Sequence, residues 1–336
     1  MKAKKSIYHL EKGVRRYFYL TMGVALVVFL TIMVGPRPAI EETVNFSPEA
    51  IGNDPAAYLA KSEAAITGIR PGAEKEIVWA DPATKARTPL SVIYIHGFSA
   101  TKWETRPLPD IVARELGANL YFARLAGHGM DGQALASVSM GDWVDDLSEA
   151  IAIGEQIGER IVIISASTGG TLVTWAADHA RLMNKVVGSI LISPNFEVHG
   201  VSIGLLNMPW GKYILPKVMG ETRSWEPENE EHGKWWTTSY PSRAVFPMAA
   251  LMKAVQIKNY ANIKLPSFFI ISTRDTVVVP AATNRLYNEW GGPKKLLEVV
   301  GSDDPAQHVI AGDILSPSTT QAIAREIVVW IRSLPR

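Results

Sequence analysis

A serine lies where a β-rich run meets a helical pattern. Arg160–Ser165 passes directly into Ser165-Ala166-Ser167-Thr168-Gly169-Gly170, and helical spacing begins at once. A strand, a sharp turn and a helix in that order leave the turn's hydroxyl free to attack an electrophile. Such a turn is written G-x-S-x-G because it crowds the residues two before and two after the serine. Gly169 fills the trailing position, and Ser165 stands in the leading one. Serine is the smallest polar substitute for glycine, so the pattern still predicts Ser167 as a nucleophile. The plainer alternative is a Ser/Thr/Gly-rich turn that only caps a helix.

A serine nucleophile needs a base to take its proton and an acid to fix the imidazole tautomer. For a serine on this kind of turn the chain order is Ser, then Asp or Glu, then His. Asp275 lies just after the apolar run Ser267–Ser272, in Ser272-Thr273-Arg274-Asp275. His308 lies beyond the next run, Lys295–Val300. Both fall at C-terminal strand edges, where the sites of open α/β sheets gather. Asp303, Asp304 and Asp313 are rival acids, but they sit too near His308 in sequence for a separate strand to carry them. Of the other histidines, His9 precedes the long apolar run, and His179, His199 and His232 follow no strand end. His96 and His128 belong to loops, and His128 reads as structural. A base near the ordinary imidazole pKa of about 6.5 predicts activity rising with pH through roughly 6–7.

The negative oxygen of the tetrahedral intermediate needs backbone donors. Ser91–Ile95 runs into His96-Gly97-Phe98-Ser99. The loop after that strand supplies one N–H and the residue after the nucleophile another, which predicts Phe98 and Thr168. No phosphate loop, metal-ligand cluster or dinucleotide fingerprint is visible, so neither cofactor nor metal is expected.

These residues need a frame to hold them. The runs Glu76–Ala80, Ser91–Ile95, Asn119–Phe122, Arg160–Ser165, Val187–Ser193, Ser267–Ser272 and Lys295–Val300 read as strands. Several are continuously apolar, as strands buried on both faces are. Between them, Leu108–Leu116, Asp142–Ile157, Thr168–Met183, Ala281–Trp290 and Thr319–Leu334 carry helical spacing. Alternating β and α predicts a mostly parallel sheet with helices on both faces. Residues 195–263, rich in Trp, Tyr, Met and Pro, break the alternation and read as an inserted cap. Its Met208, Trp210, Tyr213, Met219, Trp225, Trp235, Trp236, Tyr240, Phe246, Met248 and Met252 could wall an apolar acyl pocket or merely pack the cap.

The chain has 336 residues, no cysteine and a net charge of +1. Disulfides, thiolate catalysis and lipidated cysteine are excluded, and nothing points to nucleic acid. The charge is uneven. Residues 1–40 hold seven basic residues and one acid; of 34 basic and 33 acidic residues in all, 27 and 32 remain beyond, a net of −5. Tyr17–Pro36 carries no charge. Twenty helical residues span roughly 30 Å, the hydrocarbon thickness of a bilayer. Basic residues before it and Glu41 and Glu42 after it place residues 1–16 in the cytoplasm and the remainder outside. A cleaved signal peptide is the alternative; against it, the run exceeds the usual 7–15 residue apolar core and no A-x-A site closes it. Residues 37–72 read as a linker with a short helix around Pro55–Ala65, and residues 73–336 as the catalytic domain.

HGFSA, LAGHGMD, SASTGG, TRDTVVV and HVI, in this order, resemble the monoacylglycerol lipase and carboxylesterase branch of the α/β hydrolases, which includes serine aminopeptidase-like members. The resemblance covers about Val78 to Arg332. Ala126 departs from that branch's usual L-P-G-H-G loop, as Ser165 departs from the elbow glycine. The resemblance implies an α/β-hydrolase fold and ester hydrolysis through an acyl-enzyme, with an inserted cap shaping the acyl pocket; it does not fix the substrate, and the apolar residues of the cap are what point to a small ester of short to medium apolar acyl chain. An amide or peptide hydrolase of the same fold, or a silent membrane-tethered binding module, are the other readings.

Overall fold

The computed structural model describes residues 2–335, with side chains from Val14 onward. The side chains of Lys2, Lys4, Lys5, His9 and Lys12, in the expected basic tail, lie outside the described ones. Nine strands follow in chain order: β1 (Glu76–Val78), β2 (Thr88–Ile95), β3 (Asn119–Phe122), β4 (Gly158–Ala166), β5 (Val186–Ile192), β6 (Thr222–Ser224), β7 (Ser239–Pro241), β8 (Ser267–Ile271) and β9 (Lys294–Glu298). Seven form one sheet in the order β1-β3-β2-β4-β5-β8-β9, while β6 and β7 pair separately. Only β1 runs antiparallel in the large sheet.

The apolar runs are strands because they are buried on both faces. On β2, Ile93 and Ile95 belong to one hydrophobic cluster, and Val92 and Tyr94 to another. Alternate side chains of a strand point to opposite faces, so one run supplies two cores. Helices α5 (Met140–Ile157) and α6 (Thr168–Ala176) cover the first face, α3 (Leu108–Leu116) and α12 (Pro317–Ser333) the second. Helix α11 (Pro280–Glu289) joins the first layer.

Between β5 and β8 lie α7 (Ile203–Leu206), α8 (Gly211–Met219), β6, α9 (Glu230–Trp235), β7 and α10 (Val245–Gln256). Two further helices, α2 (Pro55–Ala64) and the one-turn α4 (Gly132–Leu135), flank the sheet's other loops. At the N-terminus α1 runs from Lys2 to Met33. Its Val14–Met33 part is long and apolar enough to cross a membrane, and none of that part is buried.

Two expectations need correction. The helix expected over Thr168–Met183 stops at Ala176. Lys258 donates to the carbonyl of Trp175 (2.7 Å) and pairs with Asp178 (2.6 Å), which holds the chain in turns beyond the helix. Leu182 and Met183 serve the approach to β5, where the N–H of Val186 donates to the carbonyl of Met183 at 3.0 Å. The segment read as a linker is packed from Glu41 on. Glu42 accepts from the Trp175 indole at 2.8 Å, Asp145 accepts from the N–H of Asn45 at 2.6 Å, and Ile51 and Leu59 join the core. The signal missed was the partner of each charge: Glu63 forms a buried pair with Arg124 (2.8 Å), and Lys75 binds Asp146 and Glu149.

Candidate active site

Ser167 follows the last residue of β4 and precedes α6, with φ 48° and ψ −116°. A non-glycine residue at positive φ is strained, and neighbours hold this one there. Its N–H donates to the carbonyl of Ile192 on β5 (2.9 Å), and its own carbonyl accepts from Asn195 (3.1 Å) and Thr171 (3.2 Å). At Gly169 a Cβ would fall 2.5 Å from the carbonyl oxygen of Ile95, so no side chain fits. The leading position is not so constrained. Ser165 is buried and its hydroxyl donates to the carbonyl of Ile190 (3.0 Å), which accounts for a serine where glycine is usual.

The structure brings Ser167, His308 and Asp275 into line. His308 Nε2 lies 3.1 Å from Ser167 Oγ, and His308 Nδ1 lies 2.8 Å from Asp275 Oδ2. The other oxygen of Asp275 accepts from the N–H of Val277 (2.8 Å) and of Val278 (2.9 Å), which fixes the carboxylate. Among the rivals, Asp304 has different work: Oδ2 accepts from the N–H of His308 and of Val309, and Oδ1 from that of Ala306. It shapes the histidine loop. Asp303 accepts from the N–H of Ser318 (2.8 Å), and Asp313 lies in a separate groove beside Trp103. Burial pulls the His308 pKa down, but Asp275, then Glu104 and Asp304, outweigh it and raise the pKa above the ordinary imidazole value.

Thr168 follows Ser167 directly, and Phe98, in the loop after β2, lines the same cavity as Ser167. Thr168 is the first residue of α6, so its N–H has no partner within the helix. The N–H of Phe98 has none among the described residues. Gly97 allows this approach, since a Cβ there would stand 3.0 Å from Ser167 Cβ. His96 and His128 are fully buried, their rings tilted by 55° with centroids 4.8 Å apart. His96 Nε2 accepts from the N–H of Leu125 (3.1 Å), and burial holds its pKa down at about 4. Burial, then the neighbouring His96, keeps His128 well below the ordinary value. Neither reaches Ser167.

One site residue was missed by sequence reasoning. Glu104 is buried, and its carboxylate accepts from the N–H of Gly97 (2.7 Å) and the hydroxyl of Tyr94 (3.0 Å). It lines the same cavity as Ser167 and His308. Burial raises its pKa, against the opposing pull of the Gly97 N–H, His308 and Tyr94. The available signal was an acid six residues after Phe98, just beyond the predicted oxyanion loop.

The cavity above Ser167 measures about 570 Å³. Val198, Val201, Leu206, Val245, Met248 and Val277 supply apolar lining, and Arg223, Glu226, Glu228 and Asn195 polar lining. Of the cap residues expected at a pocket, Trp225, Trp236, Tyr240 and Met248 line it. Trp235 instead stacks on Trp103 at 4.8 Å, and Phe246 and Met252 enter the core. Tyr213 and Met219 are exposed on the outside of the cap. Asn195 is buried with Oδ1 unpaired, while Nδ2 donates to Thr168 Oγ1 (3.3 Å). Among the described residues, no group of three or more His, Asp or Glu is arranged to hold a metal ion.

Comparison with known proteins agrees with this fold. A family model described as "Serine aminopeptidase, S33" matches residues 87–302. The thermostable monoacylglycerol lipase of Bacillus sp. (strain H-257) is 24% identical over 216 residues, 64% of this chain and 82% of that protein. A structure of the metagenome-derived lipolytic enzymes LipS and LipT superimposes with a TM-score of 0.64 at 22% identity, over 79% of this chain and 99% of that one. The Saccharomyces cerevisiae monoglyceride lipase superimposes with a TM-score of 0.58 at 14% identity, over 78% and 92%. Likeness at these identities speaks to the fold.

Proposed function

The chain belongs to the serine aminopeptidase S33 family of α/β hydrolases, and from that premise we propose that it is a membrane-anchored serine hydrolase of carboxylic esters. The observation that carries this reading is the alignment of Ser167 Oγ, the His308 imidazole and the Asp275 carboxylate, 3.1 Å and 2.8 Å apart, with Ser167 and His308 lining a cavity that has many apolar wall residues. His308 Nε2 takes the hydroxyl proton as Ser167 Oγ attacks the ester carbonyl. The N–H groups of Phe98 and Thr168 receive the negative oxygen. The C–O bond breaks, His308 returns the proton to the departing alcohol, and an acyl-Ser167 remains. Water, deprotonated by His308, then releases the acid. Asp275 accepts from Nδ1 throughout and stabilises the imidazolium.

The apolar lining of the cavity supports an acyl chain of short to medium length. Each buried methylene is worth about 0.8 kcal/mol, so lengthening the acyl group from two to six carbons should raise kcat/KM roughly 100-fold, until the cavity is full. A series of p-nitrophenyl esters tests this, with Ser167→Ala as control; that variant should lose on the order of 10⁴–10⁶ in kcat and all labelling by a fluorophosphonate. Undiminished labelling of the variant sinks the assignment.

A second reading has one observation in its favour. Glu226 and Glu228 in the polar lining could pair with a substrate's ammonium group, which suits an aminoacyl amide. Faster turnover of aminoacyl amides than of any ester decides for it. In either case the proposed arrangement has residues 1–16 in the cytoplasm, 17–36 across the membrane, and the domain, with its cap over 195–263, on the outer side. Residues 41–72 are then part of that domain.

A further inference from the structure

Two neighbouring short helices carry an unusual share of the exposed apolar side chains of the globular part. Among the described residues beyond Val34, twelve large apolar residues are exposed, and Leu205, Tyr213, Ile214, Val218 and Met219 make five of them. All five lie on α7 and α8. Ile214 and Val218, four apart, share one face of α8, and Val218 is 75% exposed. Leu215 beside them is turned into the core. Lys212 and Lys217 are exposed on the same helix. Exposed apolar residues gathered on two neighbouring helices mark a contact surface, and its position says with what.

Trp210, the residue before α8, is fastened to the end of α1. Its indole N–H donates to the carbonyl of Thr31 (3.0 Å), and its backbone N–H to the carbonyl of Pro36 (2.8 Å). Its ring lies so close to Gly35 that a Cβ there would fall 2.0 Å from the indole nitrogen. The cap helix therefore begins at the level where the apolar helix ends.

We propose that α7 and α8 lie in the interfacial layer of the bilayer that α1 spans, so that the cap is a second membrane contact. The proposal rests on the anchor reading above. Leu205, Ile214, Val218 and Met219 enter the boundary of the acyl chains, as the apolar face of an interfacial helix does. Trp210 and Tyr213 sit at headgroup depth, where aromatic residues with a polar edge are favoured. Lys212 and Lys217 reach up to anionic headgroups. Leu206, next to exposed Leu205, lines the cavity that holds Ser167. One short helix thus separates lipid from cavity, and an ester drawn from the bilayer enters past α7.

The chain has no cysteine, so single labels are clean. Val218→Cys, Val27→Cys and Val329→Cys variants of the full chain, each carrying an environment-sensitive fluorophore, are placed in vesicles of phosphatidylcholine with one quarter phosphatidylglycerol. Exchanging part of the lipid for doxyl-labelled lipid should quench the Val27 and Val218 labels several-fold and leave the Val329 label, on the outside of α12, unchanged. A quenched Val27 label with an unquenched Val218 label overturns the cap contact and leaves the anchor standing. If neither is quenched, the anchor reading falls and the cap contact with it. A Val218 label shielded from iodide but indifferent to doxyl lipid, with shielding that grows with protein-to-lipid ratio, means a second copy covers the face and also overturns the proposal. In parallel, an Ile214→Gln/Val218→Gln variant should lose several-fold in kcat/KM on an ester dispersed in vesicles. It should keep its rate on a soluble short-chain ester, and equal losses on both would contradict the membrane contact.

Discussion

Ser167 is held at a backbone angle that costs on the order of 1–3 kcal/mol, and its neighbours show why the strain persists: three backbone hydrogen bonds and two loops fix it. This much is readable in SASTGG. What the sequence hid is the electrostatic company of His308. With its pKa raised, His308 keeps its proton to higher pH. A base must be neutral to act, so the acid limb of kcat/KM should lie above the ordinary imidazole value of about 6.5, higher than the sequence alone suggests. Glu104→Gln keeps an acceptor for Gly97 and Tyr94 but removes a negative charge facing His308. The limb should then move to lower pH, as a pH–rate profile will report. An unmoved limb with a uniformly lower kcat would make Glu104 a scaffold only. His96 and His128 act in the opposite sense. Both are buried with depressed pKa values, so the unfolded chain takes up their protons first. Their contribution to stability is complete above about pH 6.5 and is lost as pH falls toward 4, by up to about 1.4 kcal/mol per pH unit for each proton. His128→Phe should flatten that decline in urea denaturation series at pH 4.5–7; an unchanged slope would show that His128 carries none of it.

Elements were most legible where burial is two-sided. Asn119–Phe122 has the limits that the apolar pattern predicts because every residue of β3 is buried, and Leu108–Leu116 has them because α3 buries one face and leaves Arg114 and Glu115 exposed on the other. Spacing failed where a side chain from elsewhere ended an element, as Lys258 does at α6. It failed again over residues 41–75, which look like a polar, proline-marked tether but are held by charges whose partners lie far along the chain. Glu63 meets Arg124 and supplies an acceptor to the N–H of Lys75 at 2.9 Å. Glu63→Ala leaves the Arg124 guanidinium buried without its partner, which typically costs about 3–5 kcal/mol. Thermal melts should show a large fall, together with faster proteolysis within residues 41–75. A loss under about 1 kcal/mol would mean that the pair behaves as an exposed one.

At the scale of the whole molecule the proposed anchor and the packed segment leave little free chain. Only residues 34–40 separate the end of α1 from Glu41, which accepts from the N–H of Gly141 at 3.3 Å. Seven residues reach at most about 25 Å. Protease added to intact spheroplasts should remove the domain, and full protection would reverse the proposed orientation. The shortness of that connection also sets the arithmetic of catalysis. An enzyme held so near the lipid surface samples a plane rather than a volume, and its substrate supply is a number of molecules per unit area. Diluting a vesicle suspension that already contains enzyme and substrate should leave turnover unchanged. Diluting the substrate within the membrane by inert lipid, at constant total amount, should slow it in proportion. A long flexible tether would blur that distinction, whereas the proposed anchor, with only residues 34–40 between it and the packed domain, makes area density the variable that turnover of a membrane-borne ester should obey.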